Sequence, residues 1–597
     1  MISDQFKKLI SKDFRVGSLE KAARVLASFS LTERLIFLAL AIVFASSALT
    51  LLVKLNNELT VLVPSNGGSL TEGIIGIPRF INPLLAISDA DRDLTTLVYS
   101  GLLKVSSTGI LIGDLAESYS VSDNGLEYTF VLRENAVFHD GAPVTADDIV
   151  FTIKKAQDPN LKSPRRASWE GVTAEKVDNV TVKIKLKNPY PPFLENTTMG
   201  ILPEHIWKGV DVEQFAFSQY NIEPVGSGPY RVGGIKRSSG GIPSAYTLTP
   251  FSKYTLGEAH ISKVVLKFYL SEDALVDAYQ QGDIESVNSI SPHKALALTA
   301  LGARVESASL PRIFAVFFNQ NQAKVFTYKE VRQALYRTVD QERIVTEVLS
   351  GYGVPIAGPL PASLFETSPQ TTSSTENTLE KRVTEAQALL KKNGWTPNPT
   401  DGVLEKKVKK ETIRLEFSIA TSNSEELKAA AKIIKGDWEK IGAKVSLNFF
   451  DTGDLNQNVI RPRTYDSLFF GEVIGRDLDL FAFWHSSQRN DPGLNVSLYA
   501  NIKADKLLES ARTTVLQDMR IEKYRAFAVE VATDMPAAFI YSPDFIYVIP
   551  KKIHGMSINA VTIPSDRFLN INEWHIETDR VWKLFAPKTI EDNTLIK

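Results

Sequence analysis

"GDLAESYSVSDNGLEYTFVLRENAVFHDGAPVTADDIVFTI" (residues 113–153) sets His139 directly beside Asp140, with Asp147 and Asp148 a few residues on. These polar residues are either an acid/base centre or a set of local folding signals. The alternation in LEYTFVL (126–132) predicts a half-buried strand. Asp140-Gly141 is a turn dipeptide. Thr145 and Asp148 have the spacing of a capping box, with Asp in place of the longer Glu. Asp147 and Asp148 then fall in a first helical turn, where the helix dipole favours negative charge. Each polar residue has a local structural task, so no catalytic role is assigned to the stretch.

Working outward, the 597 residues exceed what a single core ordinarily holds, so two or more domains are expected. A net charge of −2 lacks the concentrated basic surface of nucleic-acid binders. There is no cysteine, which excludes disulfides, thiolate metal sites, a Cys nucleophile and lipid attachment to a cysteine. The seven histidines form no His-x-x-x-His pair, and neither a Gly-x-Ser-x-Gly elbow nor a phosphate-binding GxxxxGK[ST] loop is present. Ser291-Pro-His-Lys294 and Ser122-Asp-Asn124 stand in the wrong order for penicillin-binding enzymes, and no Lys-Thr-Gly follows. The sequence predicts a protein with no catalytic residue, metal ligand or cofactor.

Leu35–Val53 is a run of nineteen residues without a charge, closed by Lys54. At about 1.5 Å per residue a helix there covers roughly 28 Å, close to the ~30 Å hydrocarbon core of a bilayer. Lys7, Lys8, Lys12, Arg15, Lys21, Arg24 and Arg34 precede it, against four acidic residues. That bias places residues 1–34 in the cytoplasm and the body outside, anchored by a single-pass helix at 35–53. The competing reading is a cleaved signal peptide ending at the small residues of "ASSA" (45–48), whose leading segment would be unusually long.

Beyond "PSNGGS" (64–69) strand and helix patterns alternate. Strands are expected at 126–132 and 180–187, and a helix at 327–339. Asp340 is expected to cap a second helix that stops near Gly351. "IRLEFSI" (413–419), a helix at 425–441 begun by Ser424 and ended by Gly442, and "KVSLNFF" (444–450) read as a βαβ unit with parallel strands. A further helix covers 388–395, stopping at Asn393-Gly394, and "FETSPQTTSSTENT" (365–378) is expected to be a surface loop.

The longest collinear pattern resembles a family, the extracellular solute-binding proteins of the peptide/nickel type (family 5) that serve ABC importers. The resemblance runs from about residue 68 to 575, through "PRFINPLLAISDADRDLTTLVYSGLL" (78–103) and the stretch 113–153. It continues in "NPYPPFLENTTMGILPEHIW" (188–207), "PVGSGPYRV" (224–232) and "VRQALYRTVDQERIVTEVLSGYGVPIAGPLP" (331–361), where Gln341 replaces the usual Arg. It implies an α/β, two-lobed periplasmic-binding-protein-like fold with a subdomain inserted in lobe one, here preceded by one transmembrane helix. The crossovers are placed near "PRIFAVFFNQN" (311–321) and "FIYSPDFIYVIP" (539–550). Lobe one is then expected at 60–312, with the insertion at about 92–198 and a return at 546–597; lobe two is expected at 313–545.

The resemblance further implies a peptide held in the interlobe cleft for delivery to ABC permease subunits with a separate ATPase. An acid of lobe two would meet the ligand's amino terminus: Asp477, with Glu472 as the runner-up, in "YDSLFFGEVIGRDLDLFAFWHSS" (465–487). Arg476 could neutralise Asp477 instead, Trp484 could pack over the ligand, and Tyr541 could line the cleft. A receptor for a nickel chelate or an oligosaccharide, and a membrane-anchored hydrolase, are the alternatives; an oligosaccharide would stack on tryptophans such as Trp484.

Overall fold

The structure, a computed structural model, describes residues 27–361, 378–476 and 478–585. Most of the N-terminal segment, the loop at 365–378 up to residue 377, and Asp477 lie outside the described residues. Two compact units result: one from residues up to Ser65 together with those from Thr578, the other from Asn66–Glu577.

The smaller unit contains a 29-residue helix, α1 (Leu31–Leu59), none of whose residues is buried. Its start is capped reciprocally, Ser30 Oγ accepting from the Glu33 N–H and the Glu33 carboxylate accepting from the Ser30 N–H. The helix overruns the uncharged stretch by about one turn at its start and nearer two at its end, and passes into strand β1 (Thr60–Ser65), which pairs with a strand near the other end of the chain, Glu577–Trp582. Residues 60–65 and 578–585 thus make a separate ribbon instead of joining the sheet of the main body.

In the larger unit, strands β2 (Gly67–Ile75), β3 (Arg312–Phe318) and β4 (Ala537–Val548) organise a sheet that counts twelve strands among the described residues. Everything passes through β4. Its first half pairs with β3 and with Gly353–Pro355, its second half with Ser286–Asn288 and Val305–Ser309. Pro543 stands at the change of partners, where a residue without an N–H removes one rung at little cost.

Two lobes form on the two parts of the sheet. The first lobe's core draws on residues from Leu70 to Leu310 and from Phe545 to Trp574. The second lobe has a core on each face: Ile313, Ala315 and Phe317 of β3 enter one, Val316 and Phe318 the other. Burial on both faces is why "RIFAVFF" carries an unbroken apolar run. The βαβ unit is present, with Glu416–Ser422 and Lys444–Phe450 parallel and Glu425–Lys440 between them. Its first strand starts later than the periodicity suggested, because Leu415 donates to Leu404 O and Glu411–Arg414 belongs to a separate hairpin ladder. Asp340 does cap its helix, accepting from the Arg343 N–H.

The polar residues of 139–148 serve local structure: Asp140 pairs with His205 and Asp147 with Lys176 at the surface. Asp148 accepts from both the N–H and the hydroxyl of Thr145 and from the Glu204 N–H. The His139 ring contacts Gly228 O through Nε2 at 3.1 Å and accepts from the Gly226 N–H at Nδ1, which fixes a neutral tautomer. Burial lowers its pKa to about 4.

Deep in the first lobe Arg567 is fully enclosed by two carboxylates. It donates to Glu72 at 2.8 Å and, through both terminal nitrogens, to Asp93 of helix α2 (Asp89–Val98) at 2.8 and 2.6 Å. Tyr547 and Asn288 also donate to Glu72. Burial, against the pull of Arg567, still pushes the Asp93 carboxyl up to about 6.

Two outcomes follow for stability. Arg567→Met leaves the two acids uncompensated and is expected to cost about 3–5 kcal/mol in chemical denaturation, with Glu72→Gln costing less because it relieves the surplus negative charge. For His139 the folded pKa lies below the ordinary 6.5, so the unfolded chain binds the proton first as pH falls. Stability should fall by up to about 3 kcal/mol between pH 6.5 and 4 through this group. Denaturation of His139→Gln across that range should lack this part of the decline.

Candidate functional site

The helix that Arg567 holds from behind forms the wall of a cavity in front. In α2 the residues Ala90, Leu94, Leu97 and Val98 face the core. Arg92, Thr95, Thr96 and Tyr99, at spacings of three and four, line the other side. The end of the helix is fixed by the loop at 226–228: the Gly228 N–H donates to Val98 O at 2.8 Å, and a Cβ at Gly226 or Gly228 would overlap the Val98 carbonyl. His139 grips this same loop, so the turn at 139–141 positions the cavity wall without entering it.

The cavity encloses about 430 Å³ between the lobes, with Gly475, Arg476 and Asp479 supplied by the second. Its charges close the cleft. Arg476 donates to Glu195 at 3.0 Å, to Asp566 at 3.1 Å and to Ala560 O at 2.8 Å, all on the first lobe. Tyr190 of the first lobe donates to Asp479 at 3.0 Å, and Arg512 pairs with Asp479 at 3.1 Å while lying over the Tyr190 and Phe481 rings. Deeper in, the Lys104 amine donates to Tyr254 Oη and Asn572. Burial lowers the Lys104 pKa and raises that of Asp114, each restrained by the other's charge.

The acids of the wall are therefore engaged: Asp114 with Thr255, Glu195 and Asp566 with Arg476, and Asp479 with Arg512. Arg165 differs. It is open to the water of the cleft yet surrounded by protein, and its guanidinium has no hydrogen-bond or ion-pair partner among the described residues. Burial and the neighbouring Arg92 charge both press against its protonation, and Asp566 offsets them in part. Arg92 reaches Asp89 only at 3.7 Å. The cavity thus presents surplus positive charge on one wall.

Of the residues singled out from the sequence, Arg476 lies in this wall, and Asp477 lies outside the described residues. Glu472 is buried in the second lobe, and neither carboxylate oxygen has a hydrogen-bond partner among the described residues; burial raises its pKa well above the carboxylate range. The Trp484 indole N–H is a neighbouring donor that does not close the bond. Trp484 is a core residue among Phe317, Tyr499, Phe527 and Phe539, away from the cavity. Tyr541 is likewise interior, stacked on Phe314 at 4.9 Å. Both placements have one cause: a large ring beside a β-sheet gains more from burial than from lining a wet cleft. Sequence reasoning missed Arg92, Arg165, Tyr190, Glu195, Asp479 and Asp566; their meeting depends on contacts up to 289 residues apart.

Comparison with known proteins agrees with this architecture. The model of the bacterial extracellular solute-binding proteins, family 5 (middle), matches residues 111–494. The oligopeptide-binding protein AppA of Bacillus subtilis (strain 168) is 28% identical over 517 residues, covering 86% of this chain and 92% of that protein. The solved structure of Bacillus subtilis AppA in complex with a nonapeptide superposes with a TM-score of 0.65 at 26% identity, covering 86% of this chain and all of that one. NikZ from Campylobacter jejuni, solved with Ni(L-His), gives 0.66 at 25% identity over 85% of this chain and 99% of that one. The chain belongs to the family 5 extracellular solute-binding proteins.

Removing the bridge between the lobes should shift the protein towards an open form. Arg476→Met is expected to enlarge the ligand-free radius of gyration in small-angle scattering and to weaken apparent ligand affinity by roughly tenfold, because less of the population is competent to bind. An unchanged radius would detach Arg476 from closure.

Proposed function

We propose that this family 5 solute-binding protein is a membrane-anchored extracytoplasmic receptor that captures short peptides between its lobes and delivers them to ABC permease subunits with a separate ATPase. The observation that carries the reading is the cavity itself, enclosed by both lobes and gated by the Arg476 and Asp479 contacts. Hinge closure around a solute needs that arrangement. About 430 Å³ lies in the lower part of the ~300–1,000 Å³ span of small-ligand sites, which favours a ligand shorter than the nonapeptide of AppA. The domain reading goes with it, except that 60–65 and 578–585 form the separate ribbon: lobe one at 60–312 with its insertion at about 92–198 and return at 546–597, lobe two at 313–545, and hinges at the crossovers near 311–321 and 539–550.

A peptide zwitterion suits the charges. Arg165, with Arg92 beside it, is available to a carboxylate, and Asp477 is assigned to the α-amino group on the strength of the family resemblance. Leu35–Val53 serves as the anchor in a chain without a cysteine to acylate, with residues 1–34 in the cytoplasm. A nickel chelate remains the second reading, favoured by the unpaired Arg165, since chelators present carboxylates. The oligosaccharide reading rested on Trp484 and loses that support.

Calorimetry on the full chain in detergent with a short peptide, its N-acetyl form and its C-terminal amide tests the assignment. Asp477→Asn should weaken the free peptide by at least about tenfold and the acetylated one much less, since truncating one partner of a desolvated pair costs about 2–5 kcal/mol. Arg165→Met should weaken the free acid but spare the amide. Loss of amine discrimination through Glu472→Gln instead would move the site. If no variant distinguishes the three ligands, the peptide reading gives way to the chelate.

A further inference from the structure

We infer that the ribbon joining the two ends of the chain carries a second membrane contact: Trp582, Leu584 and Phe585 lie in the outer lipid headgroup layer beside the end of α1. This rests on the anchor reading of Leu35–Val53.

The ribbon pairs β1, which continues directly from α1, with the strand Glu577–Trp582, here β5. Its direction follows from two contacts. The Arg580 guanidinium donates to Asn57 in the last turn of α1, and Gly67 packs against the Glu577 side chain. Rising numbers in β5 therefore run back towards the helix, and Lys583–Phe585 follow Trp582 directly as a short helical turn. The charge-free run ends at Lys54, three residues before Asn57. At about 1.5 Å per residue Asn57 sits roughly 5 Å beyond the hydrocarbon edge. The headgroup layer is about that deep, since a bilayer of ~40–45 Å surrounds a ~30 Å core.

The side chains delivered there fit that layer. Trp582, Leu584 and Phe585 are 54%, 86% and 75% exposed, and Leu55 and Leu59 of α1 and Leu62 of β1 are exposed as well. A two-stranded ribbon is marginal in water, and this one shows water its largest apolar groups. Tryptophan and other amphipathic rings concentrate at the level of the headgroups. Lipid is the one occupant that the chain's own path supplies, because α1 delivers the ribbon to the bilayer surface.

The absence of cysteine permits a direct test. Leu584→Cys, Phe585→Cys, Val43→Cys and Phe217→Cys are made singly in the full chain, spin-labelled and reconstituted in phosphatidylethanolamine/phosphatidylglycerol vesicles. Collision with oxygen, which concentrates in lipid, is compared with collision with a water-soluble nickel complex. Val43 should read the bilayer interior and Phe217, on the main body, should read water. Positions 584 and 585 should fall between them, with an oxygen-to-nickel ratio several-fold above that at 217. Val43 deep with 584 and 585 reading as 217 does overturns the lipid contact and leaves the anchor standing. Positions 584 and 585 shielded from both agents overturn it in favour of a protein partner. Val43 reading as water overturns the anchor and, with it, this contact.

Discussion

The Arg567 guanidinium sits wholly out of water between Glu72 and Asp93, and the first lobe is assembled around it. Its partners lie 495 and 474 residues away, on β2 and α2, and Tyr547 of β4 joins the same carboxylate. A buried charge with no partner is so unfavourable that these four pieces of chain must arrive together or not at all. Loss of water around the carboxylate, with the second acid Glu72 adding to it, explains why Asp93 resists ionisation even beside an arginine.

What this cluster holds from behind, the cavity uses from the front. Asp93 locks one side of α2, the glycines at 226 and 228 lock its end, and Arg92, Thr95 and Thr96 are left on the remaining side. His139 belongs to this support, since its neutral ring joins the turn at 139–141 to the glycine loop. A residue that looks catalytic by type thus contributes to recognition at one remove, through the backbone it positions.

Closure between the lobes is built from charges that keep some contact with water. The side chains of Arg476, Glu195 and Asp566 are 20%, 26% and 15% exposed, intermediate between surface and core. Pairs in such a setting gain modestly against their desolvation. A closed form held only by these contacts stays close in energy to an open one, so the free energy of a ligand can decide between them. Fully buried bridges like that of Arg567 would hold the cleft shut, and fully exposed ones would not hold it at all.

The sequence by itself determined the local pieces: the capped turn before Ala146, the βαβ unit ending in Lys444–Phe450, the apolar run of α1, and the family. Periodicity, caps and turn residues act over a few positions, so neighbouring letters suffice to encode them. The same reasoning left Trp484 and Tyr541 open, because composition says that an aromatic ring will be covered without saying by what. Only the tertiary structure decided that Trp484 packs among Phe317 and Phe539, that Arg476 bridges to Glu195 and Asp566, and that Arg165 is left without a partner among the described residues. Those outcomes depend on which segments, up to 281 residues apart, meet in space, and such a contact leaves no trace in the spacing of the residues that make it.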